Sequence, residues 1–244
     1  MIHVDERDFQ WVYPATATTG LLLALFLPAS SKTVRPAARR SYAILQLLTL
    51  FGAIVGAKLA FLSGDLAWPF AKVSLSQVIL SGRSITGGLI GGFLVAEGGK
   101  VLLHYRELPN DWFATKLPLS IGVGRVGCVL AGCCRGVPGE YPLGFVYSDG
   151  VPRFPAQLAE LLFQVAAFGA AYTLYRRGAL RGRIFASYMV AYGLFRFVIE
   201  GLRETPKRDF GVRLSVYQVL SVVLVACGAA SFAWYSREAA RSAT

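Results

Sequence analysis

The sequence has 244 residues, of which 55% are hydrophobic and 16% are charged. A soluble domain carries about 25% charged residues, so this composition, with a mean hydropathy of +0.50, excludes a water-soluble globular protein. The formal net charge of +11 is also found in nucleic-acid-binding proteins, but most basic residues here lie in short segments between apolar blocks, where they set orientation in a membrane. We therefore expect an integral membrane protein with no nucleic-acid partner.

Seven apolar blocks follow one another along the chain, each close to the roughly 20 residues that cross a bilayer as a helix. Barrel strands would alternate apolar and polar residues, and these blocks do not, so the sequence predicts an all-α membrane protein of about seven transmembrane helices. No linker interrupts the pattern, and we expect a single polytopic domain over residues 1–244. The blocks run over Trp11–Ala29, Tyr42–Leu62, Ile85–Leu103, Phe113–Leu130, Gln157–Tyr175, Ile184–Glu200 and Leu214–Tyr235.

The loops between the blocks predict the orientation of the chain. The loops predicted to lie on the same side of the membrane as the C-terminus contain more Lys and Arg than the loops on the same side as the N-terminus. Because basic loops stay in the cytoplasm, we expect an N-out, C-in protein. The last outside loop, "GLRETPKRDFGVR", is an exception, and its charges suit either solvent near lipid phosphates or a rim that receives an anionic headgroup. These basic residues are Arg203, Lys207, Arg208 and Arg213.

Several ionisable residues fall deep within the predicted helices, among them Arg125, Glu160, Arg196 and Glu200. A charge at membrane depth is costly, so it faces the protein interior or a wet cavity and suggests a function. Arg196 and Glu200 are four residues apart and can pair on one helix face. Tyr192 before them and Arg203 after them extend a predicted stripe. The stripe is either a structural ion pair or a phosphate site, since the arginine fork binds two phosphate oxygens at once.

The glycine-rich stretch "TGGLIGG", which runs from Thr86 to Gly92, has two interpretations. Small residues let two membrane helices pack closely. The same residues also make a thin-walled segment that admits a lipid headgroup or lines a cavity. The sequence leaves both interpretations open.

Three of the four cysteines lie together in "GRVGCVLAGCCRG", at Cys128, Cys133 and Cys134. They fit inert small residues, a disulfide from Cys128 to one of the other two, a metal site, or reactive thiols beside Arg125. A structural zinc site needs four ligands, and the sequence has no C-x-x-C pair, so we predict no metal. Nothing in the sequence indicates a cofactor.

Six motifs, in this order along the chain, resemble those of the bacterial prolipoprotein diacylglyceryl transferases. They are "FGAIVGAKLAFL", "SITGGLIGG", "DWFATKLPLSIGVGRVGCVLAGCCRG", "RFPAQLAELLF", "YGLFRFVIEGLRETP" and "LSVYQVLS". The resemblance implies a seven-helix inner-membrane protein with its N-terminus outside and a lipid-accessible internal cavity. It implies transfer of a diacylglyceryl group from phosphatidylglycerol to the lipobox cysteine of a prolipoprotein, with release of glycerol phosphate.

The resemblance also implies roles for individual residues. Matches to family positions linked to headgroup binding and activity are Arg125, Gly136, Tyr192, Arg196, Glu200 and Arg203, and the glycine motif adds Thr86, Gly87 and Gly88 as substrate-binding residues. The arginines would hold the phosphate. Glu200 would orient Arg196 or act as a base.

The sequence also departs from the family at four positions within these motifs. Thr86 replaces the family histidine, Cys128 an asparagine, Cys133 a glutamate and Ala159 the tyrosine that follows "QL". Threonine cannot serve as a base near neutral pH, so we expect a divergent, cysteine-containing paralogue.

The cysteines suggest their own chemistry. We predict that Cys133, its pKa lowered by Arg125, attacks the lipid carbon, with Cys128 or Cys134 as a second catalytic thiol. Two alternatives remain from the sequence, namely a lipid-binding protein without catalysis and a membrane thiol-redox protein that uses the three cysteines.

Overall fold

The computed structural model describes residues 2–3, 11–26, 38–66, 72, 74–76, 82, 84–105, 110–205, 208–209 and 213–241. Within them, each predicted apolar block overlaps a helix of 15 to 26 residues. The helices are α1 Val12–Phe26, α2 Arg39–Gly64, α3 Ile85–Leu102, α4 Asn110–Leu130, α5 Ala156–Arg177, α6 Ile184–Glu200 and α7 Val216–Arg241. The short strands are β1 Ile2–His3, β2 Phe145–Val146, β3 Pro152–Arg153, β4 Arg208–Asp209 and β5 Arg213–Leu214.

Five of these helices, α2, α3, α4, α5 and α7, are long and apolar enough to cross a membrane. Helix α1 contains a shorter apolar stretch, Val12–Ala24, and α6 has 17 residues. Large apolar side chains such as Leu47, Phe51 and Val198 are more than 60% exposed, as expected of surfaces that contact lipid tails. The prediction of a helical membrane protein is therefore confirmed.

The described residues form two compact units that alternate along the chain. Unit 1 comprises Met1–Pro28, Asn110–Ile184 and Gly201–Glu204, and unit 2 comprises Ala29–Pro109, Phe185–Glu200 and Thr205–Thr244. The single domain over residues 1–244 stays a prediction.

Unit 1 is built around α4, which packs against both α1 and α5. The hydroxyl of Ser120 donates a 2.6 Å hydrogen bond to the carbonyl of Gly20, and Gly127 lies against Thr16, so small residues bring α4 and α1 together. At the start of α4, the buried carboxylate of Asp111 accepts hydrogen bonds from the amides of Gly182 and Ile184. The sheet of unit 1 has the order β1-β2-β3, with β1 parallel and β3 antiparallel to β2.

Unit 2 is built on the pair α2 and α3, to which α7 adds contacts with both. Glycines 52, 56, 87 and 91 face one another across α2 and α3, and Gly193 and Gly228 let α6 and α7 approach closely. Strands β4 and β5 form an antiparallel pair before α7. The close-packing interpretation of "TGGLIGG" thus has a structural basis at these glycines.

Neighbouring glycines of α3 provide a matched test of this packing. A Cβ on Gly87 would collide with the carbonyl oxygen of Gly56 and the Cβ of Ala60, whereas one on Gly88 would lie 3.4 Å from the carbonyl oxygen of Ala53 and 3.5 Å from the Cβ of Ala57. We expect Gly87→Ala to lower stability by about 1–3 kcal/mol through overpacking. Gly88→Ala should be neutral or raise stability by up to about 1 kcal/mol, because alanine loses less backbone entropy than glycine when the chain folds.

Thermal unfolding of the two purified variants in the same detergent measures this difference. Equal unfolding temperatures for the two would contradict the packing argument.

Candidate functional site

The predicted site residues divide equally between the two units. Unit 1 holds Arg125, Cys128, Cys133, Cys134, Gly136 and Arg203, and unit 2 holds Thr86, Gly87, Gly88, Tyr192, Arg196 and Glu200.

Arg125 of α4 pairs with Glu160 of α5. Its Nη2 lies 2.8 Å from Oε1 of Glu160, and the two side chains are 9% and 2% exposed. Its Nη1 lies 3.6 Å from the sulfur of Cys128, one turn further along α4. The sequence places Glu160 at membrane depth but does not reveal its partner, because the two residues are 35 positions apart.

The three clustered cysteines converge on one point of unit 1. All four cysteines of the chain are free thiols, so no disulfide forms here. The sulfurs of Cys128, Cys133 and Cys134 all lie within 4.8 Å of one another. Cys128 is buried, Cys133 is half-buried and Cys134 is exposed.

The pKa values of Cys133 and Cys134 shift in opposite directions. Hydrogen bonds from the thiols of Cys128 and Cys133 lower the pKa of Cys134 well below its usual value, and the positive charges of Arg125 and Arg203 add to the effect. Hydrogen bonding with the same two neighbours raises the pKa of Cys133. The prediction that Arg125 lowers the pKa of Cys133 is therefore wrong, because in this cluster Cys133 acts as a donor and Cys134 as the acceptor.

A network of polar side chains holds the loop that carries Cys133 and Cys134. The side-chain amide of Gln157 donates to the carbonyl of Cys133 at 2.6 Å and to the hydroxyl of Tyr147 at 2.7 Å. The guanidinium of Arg135 lies over the Tyr147 ring, 4.4 Å from its centroid, and donates to the carbonyl of Gly132 at 3.0 Å. The sequence does not indicate these supports.

Gly136 and Arg203 meet through their backbones. They form an isolated antiparallel bridge, and a Cβ on Gly136 would collide with the carbonyl oxygen of Phe154. Arg203 follows the end of α6 at Glu200, so it does not continue the helical stripe of Tyr192, Arg196 and Glu200. The predicted four-residue stripe is wrong in this respect, since the chain leaves the helix to pair with Gly136.

Arg153 anchors the same region of unit 1. Its guanidinium lies 2.9 Å from Asp149 and 2.7 Å from Glu204. The amide of Val151 and the side chain of Arg153 both donate to Asp149, and these bonds lower the pKa of the Asp149 carboxyl. Glu204 directly follows Arg203, so this ion pair fixes the segment that carries Arg203.

In unit 2, Arg196 and Glu200 form the predicted ion pair on α6. Nη2 of Arg196 lies 2.6 Å from Oε2 of Glu200, and the side chains are 5% and 0% exposed. Oε1 of Glu200 accepts hydrogen bonds from the hydroxyls of Thr205 at 2.6 Å and Ser215 at 3.3 Å. The carboxylate is thus held from both sides, an arrangement suited to fixing the position of Arg196.

Aromatic and polar residues surround this pair. The Arg196 guanidinium lies over the Tyr217 ring, 5.7 Å from its centroid, and the Tyr217 hydroxyl donates to Asp65. Tyr192 is fully buried and stacks on Tyr188 at a centroid distance of 6.0 Å. Thr86, at the position of the family histidine, is also fully buried.

The predicted cationic rim is described only in part. Lys207 lies outside the described residues, and Arg208 and Arg213 are described as positions of the β4–β5 pair. The rim stays a prediction.

The fold and the site define a helical membrane protein with two deeply buried arginine–carboxylate pairs. The chain belongs to the family described as prolipoprotein diacylglyceryl transferase, whose sequence profile matches residues 2–234. The family resemblance predicted from the six motifs is confirmed.

Several curated proteins named phosphatidylglycerol–prolipoprotein diacylglyceryl transferase are similar to this chain. The protein of Clostridium tetani is 26% identical over 232 residues, covering 88% of this chain and 89% of its own length. That of Cupriavidus pinatubonensis is 28% identical over 261 aligned positions, covering 99% and 92%. That of Bordetella parapertussis is 32% identical over 171 residues, covering 66% and 64%.

Proposed function

We propose that this protein transfers a diacylglyceryl group from phosphatidylglycerol, or a closely similar anionic phospholipid, to the thiol of a lipobox cysteine on a prolipoprotein. The match of the family profile over residues 2–234 carries this proposal. The two buried arginine–carboxylate pairs support it, because arginine is well suited to bind a phosphate.

The reaction exchanges one bond at the glyceryl carbon that bears the phosphate. The acceptor sulfur bonds to this carbon, the carbon–oxygen bond breaks with its electron pair on the phosphate oxygen, and glycerol phosphate leaves. The thiol proton passes to water. Negative charge grows on the leaving phosphate, and fixed cationic donors stabilise such charge.

The roles of the residues follow from the family correspondence. We assign headgroup binding to Arg125 and Arg203 of unit 1 and to Arg196 of unit 2. Glu200 acts as a positioning residue for Arg196, since its carboxylate already accepts contacts from Arg196, Thr205 and Ser215.

A covalent lipid–Cys133 species is the less favourable route. Covalent catalysis helps when it divides a hard step into two easier ones. Attack by Cys133 would form a thioether, and its release would require a thiolate to leave an unactivated saturated carbon. We therefore propose direct transfer to the acceptor thiol.

The test uses the purified full chain with isotope-labelled phosphatidylglycerol and a lipobox peptide. We expect the peptide to gain the diacylglyceryl mass and glycerol phosphate to appear in equal amount, while the mass of the intact enzyme stays unchanged. A peptide with its cysteine replaced by serine is the control acceptor.

Thr86 favours a second candidate, a lipid-binding protein without transferase activity, because threonine cannot replace the family histidine as a base. Co-purified phosphatidylglycerol with no product would establish that candidate and overturn transfer. A mass gain on the enzyme itself would overturn direct transfer alone.

We further propose seven membrane spans with the N-terminus outside, a lipid-accessible internal cavity, a single functional domain and residence in a bacterial inner membrane. The seven helices support this arrangement, and so does the excess of basic residues in the loops on the same side of the membrane as the C-terminus.

The orientation leads to a direct expectation. Among reporters fused after Thr244, only one that functions in the cytoplasm should be active, because the C-terminal end of α7 would lie in the cytoplasm. Fusions of alkaline phosphatase and of a fluorescent protein at the same position measure this, and phosphatase activity from the C-terminal fusion would contradict the seven-span arrangement.

A further inference from the structure

We propose that Cys128, Cys133 and Cys134 together bind one thiophilic metal ion, specifically Cu(I). Their three sulfurs lie within 4.8 Å of one another, close to the mutual spacing of three thiolates around a single ion. The sequence spacing predicts no metal, because neither C-x-x-C nor a histidine partner is present near the cluster. The folded chain nevertheless brings the three sulfurs together.

The backbone accounts for this convergence. Cys128 lies in the last turn of α4, and the chain reverses after it through Gly132 and Cys134, which both have φ near +60°. Cys134 thus adopts a left-handed backbone conformation that residues other than glycine rarely adopt. The reversal returns Cys133 and Cys134 toward Cys128, and the bond from Gln157 to the Cys133 carbonyl holds the turn in place.

The donor set selects a soft ion. Among the residues whose side chains are described, only these three thiols form a group of possible ligands at this spacing. Zinc takes four ligands, either all from the protein or three from the protein with a water, and magnesium and calcium take oxygen ligands. Cu(I) is favoured by thiolates, and three of them satisfy its trigonal geometry.

The surroundings suit such a complex. Three thiolates and one Cu(I) carry a net charge of 2−, and the Arg125 guanidinium lies 3.6 Å from the Cys128 sulfur to balance part of it. Binding releases the thiol protons to solvent. The exposed Cys134 gives the ion a route from the surface to the buried Cys128.

The experiment titrates the purified, reduced full chain with Cu(I) under anaerobic conditions after removal of the reductant. Bicinchoninate, a chromophoric Cu(I) chelator, competes for the ion, and elemental analysis counts bound copper. We expect one Cu(I) per chain. Loss of a residue that only supports a metal ligand weakens metal binding by roughly 10- to 100-fold. Loss of a ligand should cost at least as much, so we expect at least this effect from each of Cys128→Ser, Cys133→Ser and Cys134→Ser.

Cys227→Ser is the matched control, because Cys227 is the one other cysteine in the sequence and lies in α7. It should bind Cu(I) as the unmodified protein does. Equal binding by all four variants, or no stoichiometric binding at all, would overturn the proposal.

A second measurement avoids any effect of substitution on folding. N-ethylmaleimide should modify the three clustered cysteines of the unmodified protein more slowly when Cu(I) is bound, while modification of Cys227 stays constant. Peptide mass spectrometry reads each site, and unchanged modification of the cluster would also overturn the proposal. Both readouts are independent of transferase activity, so they stand whether or not the proposed reaction occurs.

Discussion

Arg125→Ala should lower the free energy of unfolding by about 3–5 kcal/mol, because it leaves the Glu160 carboxylate buried without its counter-charge. Glu160 is 2% exposed, so water cannot replace the guanidinium. For a chain of this size, a loss of this magnitude corresponds to a fall in melting temperature on the order of 10 °C. Thermal unfolding in detergent, followed by circular dichroism, measures it.

Arg176→Ala is the matched control for this substitution. Arg176 is exposed at the end of α5, so its loss should change stability by about 0.5 kcal/mol or less. The double variant Arg125→Ala, Glu160→Gln should recover part of the lost stability, because it removes both charges. Strictly additive losses would show that the pair is not coupled.

Arg196→Lys should reduce transfer by about 10²- to 10³-fold, the cost of removing one fixed donor from a developing negative charge. Lysine keeps a positive charge opposite Glu200, so the protein should remain folded. It lacks the planar fork that binds two phosphate oxygens, so the transition state loses more than the fold does. Steady-state kinetics with phosphatidylglycerol and a lipobox peptide measure the effect.

The division between kcat and KM identifies the role of Arg196. A fall in kcat with little change in KM would support stabilisation of the leaving phosphate, whereas a rise in KM alone would indicate ground-state binding of the headgroup. Arg176→Lys is the control and should retain full activity. Full activity in Arg196→Lys would remove Arg196 from the proposed phosphate site.

The helices were predictable because long apolar blocks interrupted by basic loops leave few other arrangements. Each of the seven predicted blocks overlaps one helix, and the range of α6 agrees at both ends. The pair Arg196–Glu200 was also predictable, since four residues separate neighbours on one helix face.

Contacts between elements were not predictable from the sequence. The partner of Arg125 lies 35 residues away on another helix, and the hydroxyls of Thr205 and Ser215 reach Glu200 from outside α6. The cysteine cluster depends on the positive φ of Cys134, a conformation that no residue pattern signals for a cysteine. Arg203 was misplaced because the predicted seven-residue spacing from Arg196 requires the helix to continue to Arg203, whereas the helix ends at Glu200.

The alternation of the two units along the chain has a consequence for biosynthesis. Helix α1 is translated first, but the contact between Gly20 and Ser120 joins residues 100 positions apart, so its partner emerges only much later. Helices α2 and α3, by contrast, join through Gly56 and Gly87 soon after both have left the ribosome. A nascent chain arrested before Asn110 would contain a finished α2–α3 pair and an α1 without its α4 partner. Chaperones and proteases remove incompletely folded chains in cells, so such an arrested chain should be short-lived.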